Sequence, residues 1–246
     1  MKKVCFCKIK SIKGLCDGVF DMWIESPEIA VQAAAGQFVH IKCGNGTLLR
    51  RPISVCDTGD DAVRLVFEVK GEGTKWLASR RAGDVLDVLG PLGHGFEPMG
   101  ERPVIIGGGI GVFPLLMLAK RLKNPRIFLG FRDCTRVVME DEFDALGCIS
   151  VCTDDGSYGK HELVTAEAKT AVEDADMVYA CGPVPMLREV QKLAADAGVR
   201  AQISLEERMG CGVGACLVCV CKAGGHFEKV CQKGPVFWSS EVSFDD

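Results

Sequence analysis

Four of the fourteen cysteines in this 246-residue sequence fall into a pattern that can do chemistry. Cys211 and Cys216 have four residues between them, Cys216 and Cys219 have two, and Cys231 follows after eleven more. This C-x4-C-x2-C…C spacing delivers four thiolates to a 2Fe–2S cluster, three from one tight loop and one from a distant segment. Gly210, Gly212, Gly214 and Ala215 let the backbone wrap closely enough for N–H groups to point at the sulfurs. Zinc is the competing metal, but structural zinc sites usually come as two C-x2-4-C pairs, whereas here a single cysteine follows an unequal triplet. Cys221 stands too close to Cys219 to replace Cys231 and reads as a non-ligand. The ten cysteines outside the pattern, Cys221 among them, are scattered, and most read as small buried apolar residues.

Three further segments carry candidate ligand chemistry. Gly107-Gly108-Gly109-Ile110-Gly111 follows an apolar strand and precedes a helix start, where glycines admit a pyrophosphate to the backbone and the helix start supplies N–H donors. Its spacing is not G-x-G-x-x-G, and a plain tight strand–helix turn is the alternative. Cys181-Gly182-Pro183 ends a later strand before a helix, the edge of a parallel sheet where ligands bind; a tight turn is again the alternative. Arg50-Arg51-Pro52-Ile53-Ser54 joins a rigid arginine, suited to a diphosphate, to a hydroxyl within reach of a flavin edge. Val69-Lys70-Gly71-Glu72-Gly73-Thr74 adds a second glycine turn and helix start, with Thr74 expected near the N-cap. Both of these also read as solvated basic turns.

The elements that must position these residues change style near residue 100. Val63, Leu65, Phe67 and Val69 alternate as in a half-buried strand. Segments 19–24, 37–42 and 85–89 are similar, and the Gly/Pro punctuation predicts a small antiparallel barrel over residues 1–99. From residue 100 to 205 apolar strands at 103–106, 126–131, 148–152 and 176–181 alternate with helical runs at 115–122, 139–146 and 185–197, the last closed by Gly198. Such alternation predicts a parallel α/β sheet. From 206 to 246 glycine and cysteine dominate and periodicity fades, giving a small C-terminal lobe.

Composition bounds the function. With 29 basic and 33 acidic residues the net charge is −4, against a nucleic-acid binder or a protein of anionic membrane surfaces. At 48% apolar and 25% charged residues the chain is of ordinary globular composition. The longest apolar stretch, 104–119, contains four glycines and Pro114 and is shorter than the roughly 20 residues of a membrane span. The start, Met1-Lys2-Lys3-Val4-Cys5, leads into alternation rather than an export signal, so the expectation is a cytoplasmic protein with reduced thiols.

Taken together, Arg51-Pro52-Ile53-Ser54, Gly107 to Gly111, Asp154-Asp155-Gly156-Ser157-Tyr158-Gly159, Cys181-Gly182-Pro183, and Glu206-Glu207-Arg208-Met209-Gly210-Cys211 through Cys231 to Gly234-Pro235-Val236-Phe237 resemble the ferredoxin-reductase superfamily. More closely, the chain resembles the electron-transfer subunits of the NAD-dependent bacterial dihydroorotate dehydrogenases. The motifs span nearly the whole chain in order. The cluster motif is the specific one, while the glycine turn and Cys-Gly-Pro are shared across the superfamily. Where many members place a flavin-covering tyrosine two residues after the arginine, this chain has Ile53.

The resemblance implies a flavin barrel, a nicotinamide domain and a C-terminal cluster lobe, with FAD and a 2Fe–2S cluster as cofactors and NAD as substrate. Arg51 would bind FAD phosphate with Pro52 and Ile53 beside it, Ser54 the isoalloxazine edge, and Val69, Lys70, Gly73 and Thr74 the diphosphate side. Gly107, Gly108, Gly109 and Gly111 would bind the NAD pyrophosphate, with Gly182 and Pro183 alongside. Cys181 would stand near the nicotinamide as the catalytic candidate. Asp133 reads as a ribose ligand or as a loop carboxylate, and Asp154 and Asp155 as cofactor-loop or turn residues. A nicotinamide exchanges two electrons and a cluster one, so the flavin belongs between them. The implied partner is an FMN-containing catalytic subunit that oxidises dihydroorotate to orotate in UMP biosynthesis, in a heterotetramer with two of each chain. Two rivals are an electron-transfer subunit of a ferredoxin–NADP transhydrogenase or sulfide dehydrogenase, and a non-catalytic zinc-binding interaction module.

Overall fold

The computed structural model describes residues 3–44 and 46–244. Met1 and Lys2, part of the expected start, lie outside them. Six antiparallel strands close the first unit: β1 (Lys3–Cys16), β2 (Val19–Glu25), β3 (Phe38–Ile41), β4 (Arg51–Thr58), β5 (Ala62–Glu68) and β6 (Val85–Leu92), in the order β1-β2-β5-β4-β3-β6. Helices α1 (Pro27–Gln32) and α2 (Glu72–Ala78) join strands of this barrel. Ile9, Met22, Ile24, Val39, Ile41, Val55, Leu65 and Leu86 fill its interior.

Two expectations need correction here. The Arg51-Pro52-Ile53-Ser54 segment is not a solvated basic turn: it opens β4, paired residue for residue with β3 (Ile41↔Arg51, His40↔Pro52, Val39↔Ile53, Phe38↔Ser54). And β5 is buried on both faces rather than one, because Arg64 and Val66, on the face opposite Val63, Leu65 and Phe67, are also enclosed. The charge of Arg64 is met there by Asp21 and by Glu142 of the next unit.

That unit is a six-stranded sheet in the order β14-β11-β10-β7-β8-β9. Strands β7 (Pro103–Gly108), β8 (Arg126–Phe131), β9 (Cys148–Thr153), β10 (Met177–Cys181) and β11 (Arg200–Ser204) run parallel, while β14 (Val236–Trp238) is antiparallel to β11. Helices α3 (Leu115–Ala119), α4 (Glu140–Asp144), α5 (Val164–Glu173) and α6 (Val184–Ala197) connect them. The sheet centre is Val104, Ile105, Ile106, Val178, Tyr179 and Ala180, each fully buried, as parallel strands covered on both faces require.

The helical runs at 115–122 and 139–146 are shorter than expected. After Ala119 the hydrogen bonds tighten to Arg121 N–H on Leu118 and Leu122 N–H on Ala119, a 3-10 ending. Met139 has a left-handed φ of 63°, so α4 cannot start before Glu140. The helix α5 was not read from the sequence, although Val164, Ala168, Ala171 and Val172 form its buried stripe. Gly198 caps α6 in the left-handed region, φ 67°.

The C-terminal residues form more regular structure than their periodicity announced. β12 (Val220–Ala223), β13 (His226–Lys229) and β15 (Val242–Ser243) make a three-stranded sheet, and α7 (Val230–Lys233) leads into β14. The chain at 234–235 is tied to both larger units, since Gly234 O accepts from His94 N–H at 2.6 Å and Pro235 O from Leu205 N–H at 2.9 Å.

Candidate functional site

The barrel end of β4, the turns after β7 and β10, and segment 204–209 after β11 enclose one cleft. Its inner part, a cavity of about 190 Å³, is lined by Pro52, Ile53, Ser54, Thr74, Gly111 and Cys181 among others. Its outer part, about 850 Å³, continues past Pro52 and Lys70 to Arg51, Gly182, Pro183, Glu206 and Glu207. A third cavity of about 960 Å³ lies beyond the glycine turn, between α5 and α6, with Gly108, Gly109, Arg132, Asp154, Lys169 and Pro183 on its wall. The tertiary structure thus brings most of the expected ligand residues to one edge of the sheet.

Close approaches explain the residue types. A side chain on Gly73 would put its Cβ 2.3 Å from Arg51 Nε, so the absent side chain leaves room for the guanidinium at the cleft. Arg50, by contrast, is spent on structure: its Nη2 donates to Asp87 Oδ1 at 2.8 Å and its Nη1 to the His40 carbonyl at 3.2 Å. Thr74 is not the N-cap of α2; Gly71 is. Thr74 is the third helical residue, and its Oγ1 accepts from Lys70 N–H at 2.9 Å and Gly71 N–H at 3.2 Å, which fixes the turn.

The two turns of the parallel sheet interlock. A Cβ on Gly111 would lie 2.3 Å from the Cys181 carbonyl, and one on Gly108 would lie 2.6 Å from Met186 Sδ. The chain leaves β7 in a 3-10 turn over Gly109–Val112 before the five-residue α3. The longer helix starting at this edge is α6, of 14 residues, directly after Pro183. Cys181 keeps some exposure as a residue, yet its thiol is enclosed: burial pushes it up to about 12, with the Ser204 side chain pulling the other way. Three of the expected flavin and nicotinamide residues line none of the three cavities: Gly107 packs on Val112, Leu115 and Leu129, Gly73 lies behind Arg51, and Val69 hydrogen-bonds Gly18 through its N–H. Asp133 Oδ1 accepts from Thr135 N–H at 2.9 Å and Asp155 Oδ1 from Ser157 N–H at 2.9 Å, so both shape turns. Asp154 faces the third cavity.

The cluster motif folds as two pairs of thiols. Cys211 and Cys216 Sγ atoms are 3.4 Å apart. Cys219 and Cys231 are neighbours too, with the Cys231 N–H 3.5 Å from Cys219 Sγ. Burial raises the Cys211 thiol, but the N–H groups of Cys216 and Val213, then the Cys216 thiol and the Ala215 N–H, outweigh it and bring the thiol down to about 6, so the thiolate is favoured. Burial, followed by the Cys219 thiol beside it, pushes Cys231 up to about 12. Lys229 Nζ donates to the Gly214 carbonyl at 2.8 Å and clamps the loop. Cys221 sits on β12 opposite Glu228, where burial raises its thiol to about 11.

Among the described residues no three His, Cys, Asp or Glu side chains converge as a single ion would require. A two-iron cluster asks for something else, two thiolates per iron, and two adjacent pairs meet that demand. At Cys231 burial and the neighbouring Cys219 thiol hold the proton on, a penalty that ferric charge would remove. The donor set therefore fits a 2Fe–2S cluster.

Residues 206–243 match the model of the iron–sulfur cluster binding domain of dihydroorotate dehydrogenase B. Over 216 residues the chain is 45% identical to the electron transfer subunit of dihydroorotate dehydrogenase B (NAD(+)) from Caldanaerobacter subterraneus subsp. tengcongensis, covering 85% of this chain and 87% of that one. The subunit of the same name from Geobacillus thermodenitrificans is 41% identical over 249 residues, covering 95% and 96%. The chain belongs to this family of electron-transfer subunits. Among solved structures, that of an NADH-dependent reduced ferredoxin-NADP oxidoreductase described in connection with flavin-based electron bifurcation is similar, with TM-score 0.88 and 31% identity, over 99% of this chain and 92% of that one. A ferredoxin NADP+ reductase from Neisseria gonorrhoeae shares the fold at TM-score 0.66 and 19% identity, over 84% and 94%.

As a dihydroorotate dehydrogenase electron-transfer subunit, the chain carries cleft residues that its motifs did not single out for a role. Glu206, Glu207 and Met209 line both parts of the cleft. Their signal was positional, since they follow the last parallel strand at its carboxyl end. Phe38 also lines the inner cavity. His40, fully buried beside it, had no sequence signal; burial and Arg50 lower its pKa to about 4.

Proposed function

We propose that this chain passes electrons between a dihydroorotate-oxidising catalytic subunit and NAD+, with a 2Fe–2S cluster and FAD as resident groups. The observation that carries this reading is the gathering of the four motif thiols into two pairs, in the lobe whose leading segment 206–209 walls the cleft. In this reading residues 1–99 form the FAD unit, 100–205 the nicotinamide unit and 206–246 the cluster lobe. Bound FAD exchanges a hydride with a nicotinamide and single electrons with a cluster, which is the reason to place it between them.

The chain's own residues then have definite work. Arg51, whose Nη1 donates to the Leu49 carbonyl at 2.5 Å, keeps the rest of its planar donor fork for a diphosphate, and Gly73 leaves it room. Thr74 holds the 70–74 turn, with Lys70 supplying charge at the cleft mouth. Pro52 and Ile53 form an apolar wall and Ser54 a hydroxyl at the flavin edge. Gly108, Gly109 and Gly111 keep the pyrophosphate turn low, Gly107 packs it onto the sheet, and Val69 anchors the other turn. Gly182 and Pro183 start α6 beside them. Cys181 retains its proton, so it acts as a small neutral wall toward the nicotinamide rather than as a nucleophile. Cys211, Cys216, Cys219 and Cys231 hold the irons, and N–H groups donated to Cys211 stabilise its negative charge.

The partner in this reading is the FMN-containing dihydroorotate dehydrogenase subunit, two of each chain in a heterotetramer, serving UMP synthesis in the cytoplasm. Two facts support it. The relatives bear the name of electron transfer subunits, and no helix among the described residues is long and apolar enough to cross a membrane. One observation favours a second reading, a subunit of a ferredoxin–NADP type complex, namely the 31% identity and TM-score 0.88 to that oxidoreductase. The 41–45% identities favour the first.

The purified chain is expected to contain about one FAD and two irons. Cys216→Ser should abolish electron transfer to the partner while retaining most NADH-dependent dye reduction. Loss of dye reduction with FAD still bound would overturn the electron order, and a colourless zinc protein would overturn the redox reading. Pull-down of an FMN subunit supports the first reading; a larger iron–sulfur flavoprotein supports the second.

A further inference from the structure

His40 stands where the barrel meets the cluster loop. It is 0% exposed, and neither ring nitrogen has a hydrogen-bond partner of normal geometry among the described residues, the polar group set against the ring being the Cys211 backbone. Buried polar nitrogens left so are costly and rare, and an apolar residue would pack at this position without that cost. Two sets of contacts fix where the ring lies. On the barrel side, His40 pairs with Pro52 of β4, within the segment 51–54 assigned to the flavin. Phe38, which lines the inner cavity, meets the ring edge-on at 6.4 Å between centroids. Arg50 pins the His40 carbonyl at 3.2 Å and Asp87 at 2.8 Å, so the backbone beneath the ring is held.

On the lobe side, a Cβ built on Gly212 would come within 2.5 Å of His40 Nδ1, and Gly212 adopts a left-handed φ of 69°. No other residue could bring the backbone next to Cys211 so near the imidazole without strain. An imidazole carries at least one N–H in either protonation state, so His40 is a donor enclosed against the backbone of Cys211 and Gly212, where the cluster loop begins. A donor close to an iron–sulfur centre stabilises its reduced, more negative form.

We propose that His40 is a positioning residue for electron transfer, seating the Cys211 end of the cluster loop on the flavin-binding strand pair and raising the cluster's reduction potential through its ring N–H. The proposal rests on the cluster and flavin reading above. Its test uses the full chain in complex with its catalytic partner, with His40→Leu removing the donor and His40→Gln retaining one. Iron and FAD are counted, and the midpoints of cluster and flavin are followed separately by electron paramagnetic resonance and by absorbance.

The expected result is a negative shift of the cluster midpoint and an altered paramagnetic spectrum in His40→Leu. The flavin midpoint should stay in place, and His40→Gln should restore most of the wild-type value. Iron lost from His40→Leu but kept by His40→Gln would support the same donor role. An unchanged midpoint and spectrum in iron-replete His40→Leu, an equal shift in both variants, or loss of iron from both would overturn it. A wild-type chain with neither iron nor FAD would instead overturn the underlying reading.

Discussion

Arg51 and Gly73 show how tightly a binding residue can depend on a partner distant in sequence. The guanidinium occupies the space a side chain at 73 would need, with only 2.3 Å between Nε and the would-be Cβ. In Gly73→Ala the arginine must swing away from the cleft, and the fold can absorb the methyl, although Gly73 is buried in α2, because every close atom belongs to the flexible Arg51 side chain. The expected outcome is a drop in FAD content of about tenfold or more, read from the flavin-to-protein absorbance ratio. The unfolding midpoint should move by the equivalent of about 1 kcal/mol or less, because only a flexible side chain is displaced. The cysteines behave differently at this scale. Their spacing exposes the four candidate ligands by itself, and it is the local N–H groups of a glycine-rich loop that lower Cys211.

Helix α2 shows the same economy one level up. Its seven residues are too few to be stable alone. Thr74 closes the first turn through hydrogen bonds from Lys70 and Gly71. Thr74→Val keeps the shape and removes the acceptor, so about 1 kcal/mol of stability should be lost, measured as a lower denaturant midpoint. Thr74→Ser should recover most of it. Elements with a strong period were legible: β7, β8, β9 and β10 match their apolar runs, and α6 ends at Gly198 as its glycine indicates. The strand character of 51–58 was hidden, because two arginines and a proline read as a turn until β3 and β5 supply their hydrogen bonds.

The whole molecule is joined by charges crossing between barrel and parallel sheet. Arg64 of β5 bridges Asp21 and Glu142, Lys120 reaches Asp57 at 2.5 Å, and Arg136 bonds both Glu68 and the Asp17 carbonyl. The hydrogen bond from Arg64 is the leading cause that lowers the Glu142 carboxyl below its usual range. A carboxylate depressed in the folded state contributes stability above its unfolded pKa, about 4.3 for glutamate, and that contribution is lost as pH falls through the folded value. Thermal stability of the wild type should therefore decline as pH falls below about 4. Glu142→Gln should be less stable at neutral pH and show a shallower acid limb, followed as unfolding temperature against pH. An unchanged acid limb would show that this bridge does not help hold the two units together.

By itself the sequence determined the chemistry on offer and the order of its parts. The four-two spacing of Cys211, Cys216 and Cys219, the glycine turn at 107–111 and the switch from alternating to continuous apolar strands are all local patterns. Local patterns survive in one dimension because each involves neighbours a few residues apart. It took the folded chain to show that Gly73 makes room for Arg51, that Glu206 and Glu207 wall the cleft, and that a lone histidine on β3 touches the loop after Cys211. Each of those facts joins segments separated by tens of residues or brought together by strand order, and no spacing along the chain encodes such a meeting. It is set by which strands share hydrogen bonds and which faces must be buried.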